Sequence, residues 1–547
     1  MTRAGTEKRR ENEMAMKEQP AVVSRANGGK CWEHTFEHFT AKVYVPAQEL
    51  PDDIINYGFE APYLIVLEET PRMVEEAAAW ADGNGLAAIA ARFGGSVVFV
   101  SPTAGGWADS DESLFQELIA NSKIHQYHTD GYVTLRNRFT GGTEGYSIRG
   151  AIFRTCLYGY GASADYIAKN LLKTVNGEFL WGPGEITPAV CILERLSVVP
   201  KPERRDIPVV SIGNTTAVNR ALADGCDRFL ARDKADYVWE FDTFVRRYRR
   251  WCGNTEIETV LPEIGMVREE RFEILPTSPD NNGDDRGTSE HRIGYVAYYN
   301  TDLFDNGPVP LVLTFHGGGD SAMYIANISS WYRIANRYHF LLVSIEDHLN
   351  STATEMVALI DRLAARYNID RTRIYASGFS MGGCKSWDLY QEYPGVFAGL
   401  APMDATFEVG FNSYGKPAPC EINRDTPVPV FYTGGEITPL PELPFQAEKC
   451  WDRIRYVFDV NRVKKPYDVT FEGRENWANK IWGIDGDRTE KIYDPTRDST
   501  LTLQYFDSED GVCRTVLGSI SGQGHECRQH TCEQAWLFLS QFRRISD

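Results

Sequence analysis

Tyr375-Ala376-Ser377-Gly378-Phe379-Ser380-Met381-Gly382-Gly383 is the stretch on which the fold of this chain turns. Its lead-in, with Thr372 and Ile374, is β-branched and strand-like, and Cys384 to Tyr390 reads as helix. Between them Gly378-Phe379-Ser380-Met381-Gly382 fits Gly-x-Ser-x-Gly, the sharp strand-to-helix turn that holds up a nucleophilic serine. Small residues two positions to either side let the backbone bend that tightly. Five residues are a weak match in a chain with 47 glycines. The match gains force only if oxyanion donors, a base and an acid fall around it.

Upstream, Val309 to Phe315 is an apolar strand that runs into His316-Gly317-Gly318-Gly319-Asp320. Glycines there let backbone N–H groups approach a developing oxyanion, because no side chain stands in the way. Gly317 and Gly318, with the N–H of Met381, are the expected oxyanion donors, and His316 is expected to be structural. Glu355 to Tyr367 places Met356, Leu359, Ile360, Leu363 and Ala364 at i, i+3, i+4, i+7 and i+8, an amphipathic helix. It leads into a strand at Arg373-Ile374-Tyr375. Helix, strand, sharp turn and helix are the context the motif requires, so Ser380 is the expected nucleophile.

Downstream, the strand-like Arg514 to Leu517 precedes Ser519-Ile520-Ser521-Gly522-Gln523-Gly524-His525-Glu526, and a helix follows at Glu533 to Arg543. His525, on a loop between strand and final helix, is the expected base. The acid should fall between serine and histidine in the chain. Glu436 follows the strand Val428 to Thr433, Asp404 follows Ala398 to Met403, and Glu442 is a third candidate. Its role would be to hold the imidazole tautomer and stabilise the imidazolium. His339, His348 and His530 are expected to be surface or core residues. The run from His525 to Cys532 holds two histidines and two cysteines, but in no zinc-ligand spacing, so neither metal nor cofactor is expected. The aromatic segment between Glu436 and His525, with Trp451, Trp477, Trp482 and Tyr493, either caps the site or packs in the core.

The first half carries the same order of elements. A strand at Ala41 to Val45 precedes the apolar Tyr63 to Leu67. Alanine-rich helix follows at Val74 to Asp82 and Gly85 to Phe93, then a strand at Ser96 to Val100. Ile152 to Leu157, a turn at Gly159-Tyr160-Gly161-Ala162-Ser163, helical Ala164 to Lys173, and a strand at Ile207 to Ile212 complete the series. Short runs that are apolar throughout, alternating with helices, mean parallel strands covered on both faces. Pro62 to Leu67 answers Pro310 to Phe315, and Gly159 to Ser163 answers Gly378 to Gly382, as a duplicated fold would. The chemistry does not recur. Glu68-Glu69-Thr70-Pro71 stands where the second half has His-Gly-Gly-Gly, Gly161 stands where it has Ser380, and no histidine lies between His128 and His291. Nothing nearby supplies a base for Ser163, so the first half is expected to be non-catalytic.

A length of 547 residues calls for more than one domain. Residues 1–30 read as a disordered tail without a secretory signal, 31–258 as the degenerate domain and 259–547 as the catalytic one. Helical Asp242 to Trp251 closes the first, and the polar run Pro276 to Glu290 reads as a long hairpin loop in the second. A net charge of −19 offers no basic field for nucleic acid or an anionic membrane, and no apolar run reaches membrane-spanning length. Eleven scattered cysteines suit free thiols in a reducing cytoplasm. A homo-oligomer is left open.

From about Arg292 to Arg543 the chain resembles the poly(3-hydroxybutyrate) depolymerase and feruloyl/acetyl-xylan esterase group of α/β-hydrolases. The likeness rests on Leu-Thr-Phe-His-Gly-Gly-Gly at 313–319, the block from Leu359 to Gly383, and Gly-Gln-Gly-His at 522–525. The first half resembles the same fold only through its order of elements, which makes two α/β-hydrolase-like domains in tandem the expected architecture. The likeness of the second half implies Ser380 as nucleophile, His525 as base, and Glu436 at the acid position, where the group usually has aspartate. The expected activity is hydrolysis of a small or oligomeric ester. A hydrolase-derived binding or scaffold protein and a serine peptidase or amidase are the alternatives.

Overall fold

The apolar runs of both halves become the central strands of two sheets in the computed structural model, each sheet flanked by helices. The structure describes residues 22–47, 61–120, 127–130, 134–137, 143–144, 151–172, 188–201, 207–226, 228–251, 254–257, 261, 264–283, 285–318, 320–436, 448–467, 469, 484–495 and 497–544. The chain divides into two units, Met1–Val260 and Leu261–Asp547.

The N-terminal sheet has nine strands: β1 (Val23–Ser24), β2 (Lys30–Thr35), β3 (Phe39–Val45), β4 (Pro62–Leu67), β5 (Ser96–Pro102), β6 (Ala151–Tyr160), β7 (Val190–Glu194), β8 (Val209–Ile212) and β9 (Phe229–Arg232). Their order is β1-β2-β3-β5-β4-β6-β7-β8-β9. The strands through β3 run antiparallel, and those from β5 onward pair in parallel. β4 is buried at every position, so its sequence shows no alternation. The helices Val74–Gly83 and Leu86–Phe93 cover it with Ala77, Ala78, Ala81 and Ile89. β1 folds back onto β2 through a turn with Gly28 at φ 84°, inside the stretch expected to be tail; residues 1–21 of that tail lie outside the described residues.

The expected helix Asp242 to Trp251 does not form. A helix at Tyr237–Thr243 ends there, a single 3-10 turn follows, and β10 (Tyr248–Trp251) pairs with β11 (Asn254–Ile257). Tertiary partners override the local preference. Tyr248 lies 4.9 Å from Phe244 between ring centroids, and buried Arg250 donates its Nε to the Pro188 carbonyl at 3.1 Å.

The C-terminal sheet has ten strands: β12 (Met266–Pro276), β13 (Glu290–Asn300), β14 (Val309–Phe315), β15 (Leu341–Ile345), β16 (Ile369–Phe379), β17 (Gly399–Met403), β18 (Val430–Gly435), β19 (Arg488–Asp494), β20 (Ser499–Asp507) and β21 (Cys513–Ile520). They are ordered β12-β13-β15-β14-β16-β17-β18-β21-β20-β19. β12 and β13 form the expected hairpin across the polar run, in register from Pro276 opposite Glu290. The helix Ala353–Arg366 starts at a capping box. Thr352 Oγ1 accepts from the Glu355 N–H at 3.2 Å, and Glu355 returns a carboxylate oxygen to the Thr352 N–H at 2.8 Å. Its Met356, Leu359, Ile360 and Leu363 are buried as the periodicity requires. Burial of each such side chain contributes about 1.5–3 kcal/mol.

β2-β3-β5-β4-β6-β7-β8-β9 repeats β12-β13-β15-β14-β16-β17-β18-β21 in order and in direction. The register repeats as well: Leu67 pairs with Gly159 as Phe315 pairs with Gly378. The tandem arrangement read from the sequence is therefore a repeat of topology. Among the described residues no helix is long and apolar enough to cross a membrane.

Candidate active site

Ser380 caps the helix Met381–Glu392 with φ 54° and ψ −117°, a conformation that costs a non-glycine residue of order 1–3 kcal/mol. Both flanks pin it there. Its N–H donates to the Met403 carbonyl at 3.0 Å, and its carbonyl accepts from the Cys384 N–H at 3.0 Å. A side chain on Gly378 would strike the Gly382 carbonyl, and one on Gly382 would strike the Phe315 carbonyl. Added to Gly383, a Cβ would stand 2.5 Å from that of Ala405. The glycines are thus steric requirements of the turn.

The loop after β14 is fastened by two buried histidines. The Nδ1 and Nε2 of His316 lie 2.7 and 2.8 Å from the carbonyl oxygens of Gly317 and Glu346. The His316 carbonyl lies 2.9 Å from Nε2 of His348, whose ring stands 4.4 Å from that of His316. His316 is structural, as read from the sequence, and His348 shares the task. Behind them sits Asp320. Burial pushes its carboxyl up to about 7, a hydrogen bond from the Gly317 backbone acts the other way, and the nearby Glu346 adds to the rise. The Gly317 backbone thus lies beside the Asp320 carboxyl, while among the described residues the amides of Gly318 and Met381 have no acceptor. Gly319 lies outside the described residues.

β21 delivers the loop that carries His525. The imidazole is buried, its ring centroid 4.6 Å from that of Phe379, the residue before Ser380. Burial pushes its pKa down to about 4. Its Nδ1 has no hydrogen-bond partner among the described residues. β18 passes this loop so closely that a side chain on Gly435 would strike the Gln523 and Gly524 carbonyls.

Of the three acids, Asp404 is the one built into this junction. It follows β17 with φ 47°, is fully buried, and accepts the Gly435 N–H on Oδ1 at 3.0 Å. The backbone amide of Glu526, next to His525, also pulls its carboxyl down, and Oδ2 has no hydrogen-bond partner among the described residues. Burial holds its carboxyl well above the usual range, against the pull of the two amides. Glu436, one residue beyond Gly435, is half-buried, and burial raises its carboxyl too. Its N–H donates to the Ile520 carbonyl at 2.9 Å, but its carboxylate has no partner among the described residues. Glu442 lies outside them. The structure therefore gathers His525 to the elbow through Phe379, and Asp404 to the histidine loop through Glu526. Asp320 was missed in the sequence, although its place directly after the glycine run marked it.

Cys527 and Cys532 pack their sulfurs 3.5 Å apart against Met403 Sδ. Among the described residues the only three ligand groups that converge are Glu37, His38 and Glu117, in the other unit, so the run from His525 to Cys532 gathers no metal-ligand set. Trp451 is a fully buried core residue, and Tyr493 is exposed on β19, so neither caps the site. Trp477 and Trp482 lie outside the described residues.

The corresponding turn of the N-terminal unit has the same backbone. Gly161 adopts φ 57° and ψ −121° at the start of the helix Ala162–Asn170. Ser163, in the place of Gly382, is fully buried. Its Oγ donates to the Leu67 carbonyl at 2.7 Å and accepts the Tyr160 N–H at 2.9 Å. It is a structural tie across the turn. The Glu69 carboxylate fills the space a side chain on Gly161 would need.

A strained serine at a strand-to-helix turn on a mostly parallel sheet defines the α/β-hydrolase fold. No family model matches the chain. A bifunctional acetylxylan esterase/xylanase of Neocallimastix patriciarum is 30% identical over 135 residues, 23% of this chain, and the match spans only 19% of that relative's length. Among solved structures, the acetyl xylan esterase from Aspergillus awamori is similar at 11% identity and TM-score 0.30, over 49% of this chain and 99% of its own. The feruloyl esterase module from Clostridium thermocellum is similar at 12% identity and TM-score 0.28, over 50% and 88%. S-formylglutathione hydrolase from Staphylococcus aureus gives 15% and 0.27, over 36% and 87%.

Proposed function

We propose that the C-terminal unit is a serine carboxylic-ester hydrolase and that the N-terminal unit is non-catalytic. The observation that carries the reading is the strained Ser380 at the elbow, together with the amides of Gly318 and Met381, which have no acceptor among the described residues. Ser380 Oγ attacks the ester carbonyl while His525 takes its proton. The two amides receive the charge that develops on the carbonyl oxygen, a contribution of about 2.7–4 kcal/mol per donor. The alcohol leaves with the proton returned by His525, and water, activated by the same base, cleaves the acyl-serine. Asp404 is the acid in this scheme, because it is fully buried, accepts the Gly435 N–H, and has Glu526, the neighbour of His525, beside its carboxyl. Glu436 is the alternative. The substrate is a small or oligomeric ester of hydroxyalkanoate, feruloyl or acetyl type; the named activity of the Neocallimastix relative supports the acetyl end of that range.

A fluorophosphonate probe and p-nitrophenyl acetate and butyrate test the proposal, with Ser380→Ala as control. Labelling and turnover in the wild type, both lost in the variant, are expected. A wild-type protein that is folded yet neither labels nor turns over would sink it. Faster cleavage of an anilide than of the matched ester would move the reading to an amidase.

A further inference from the structure

The N-terminal unit retains a cavity at the place where its twin carries the proposed chemistry. It measures about 570 Å³ and opens at the carboxyl ends of β4, β6 and β7, where open α/β sheets receive ligands. Its chemistry has been inverted relative to an ester site. Where the C-terminal unit has a glycine loop, this one has Glu68 and Glu69. The Ala162 N–H, the counterpart of the Met381 amide, faces Glu69 Oε1 at 3.4 Å. An oxyanion or a carboxylate ligand would meet a fixed negative charge there.

Charge and aromatic surface define what would fit instead. Glu68 is neutralised by Lys42 at 2.8 Å and by Arg72 at 3.1 Å. Glu69 and Glu194, which also line the cavity, form no ion pair among the described residues, and the one cationic side chain of the lining, Arg72, is paired with Glu68. Glu194 is held by two phenols on one oxygen, Tyr158 at 2.7 Å and Tyr237 at 3.4 Å. Burial pushes both phenols far up, so they stay donors. Trp80, Tyr158 and Tyr237 gather with ring centroids 5.1–6.0 Å apart. Aromatic faces attract cations through their quadrupole, and the Arg72 guanidinium already stands 5.0 Å over Trp80.

We infer that this cavity binds an organic ammonium ion, its charge between Glu69 and Glu194 and its apolar body against the Trp80–Tyr158–Tyr237 cluster. Neutral polyols could use the same carboxylates as acceptors, but would leave both charges without a counterion. Calorimetric titration of the full chain with benzyltrimethylammonium, benzyl alcohol, benzoate and glucose separates these chemistries. Saturable binding of the ammonium alone is expected, weakened about tenfold or more in Glu194→Gln and in Glu69→Gln, with ester turnover unchanged. Glu194→Gln keeps an acceptor for both phenols, and exposed Glu69→Gln is a second variant should the first fail to fold. Binding of the neutral or anionic probes as tightly as the cation, unchanged affinity in both folded variants, or no binding of the ammonium would each overturn the inference. None of these outcomes depends on whether Ser380 is a nucleophile.

Discussion

Asp404→Asn puts the assignment of the acid at risk. In the wild type the Asp404 carboxylate takes the Gly435 N–H on Oδ1 at 3.0 Å, while Oδ2 is unpartnered among the described residues. Asparagine has one carbonyl oxygen, which the Gly435 N–H requires. Its NH2 must then face either an amide, leaving a buried donor unmet at about 1–3 kcal/mol, or the His525 side. Turned toward His525, it would offer a donor to Nδ1 and select the wrong tautomer. Loss of tautomer control by such a change costs about 10⁴ in kcat, or ~5.5 kcal/mol at 1.36 kcal/mol per tenfold. Turnover of p-nitrophenyl acetate and the rate of fluorophosphonate labelling measure this, on protein whose melting curve shows it folded. Glu436→Gln should stay within about tenfold of wild type, since its carboxylate has no partner among the described residues. A folded Asp404→Asn enzyme within tenfold of wild type would refute the reasoning, and a collapse in Glu436→Gln alone would hand the role to Glu436.

Further outcomes follow from the same geometry. With His525 at about 4, kcat/KM for an uncharged ester should be flat from about pH 5.5 to 8 and fall only below pH 5; an acid limb centred near 6.5 would show the imidazole to be solvated. The sign for stability is the same: the unfolded histidine binds a proton below about 6.5 and the native one only below about 4. Unfolding free energy should therefore drop by roughly 3 kcal/mol as pH falls through that window, read by urea titration. Asp404, raised by burial, contributes with the opposite sign, so the window is cleanest in Asp404→Asn. Gly382→Ala drives a methyl into the Phe315 carbonyl and should abolish labelling of Ser380; retained labelling would contradict the packing of the elbow. Ser163→Ala removes a buried hydroxyl that serves the Leu67 carbonyl and the Tyr160 N–H. It should cost about 1–3 kcal/mol in stability with turnover unchanged, and lost turnover in a folded variant would give that serine a catalytic part.

The elements around the site were legible because one physical rule governs each. β4 and β14 are apolar throughout since both faces are covered, and the helix before β16 shows a clean 3.6-residue stripe. The elbow was legible because only glycine fits beside carbonyls as close as those of Gly382 and Phe315. What was not legible depends on contacts distant in sequence. β19 and β20, which extend the sheet beyond β21, lay hidden in a segment read as cap or core. β10 lies inside a run that reads as helix until the Pro188 carbonyl claims Arg250. The environment of Asp404 is assembled from Gly435 and Glu526, and no local pattern announces that meeting.

The matched turns at Gly161 and Ser380 give the molecule an internal reference. Both backbones lie within a few degrees of each other, at φ 57°, ψ −121° and φ 54°, ψ −117°. Only one carries a Cβ. Glycine reaches this conformation without steric penalty and serine does not. Glycine substitution at Ser380, compared with alanine substitution there, would meter the strain stored in one turn while the other, untouched in the same polypeptide, reports any change in solvent or temperature. A duplicated chain of this kind keeps its own baseline.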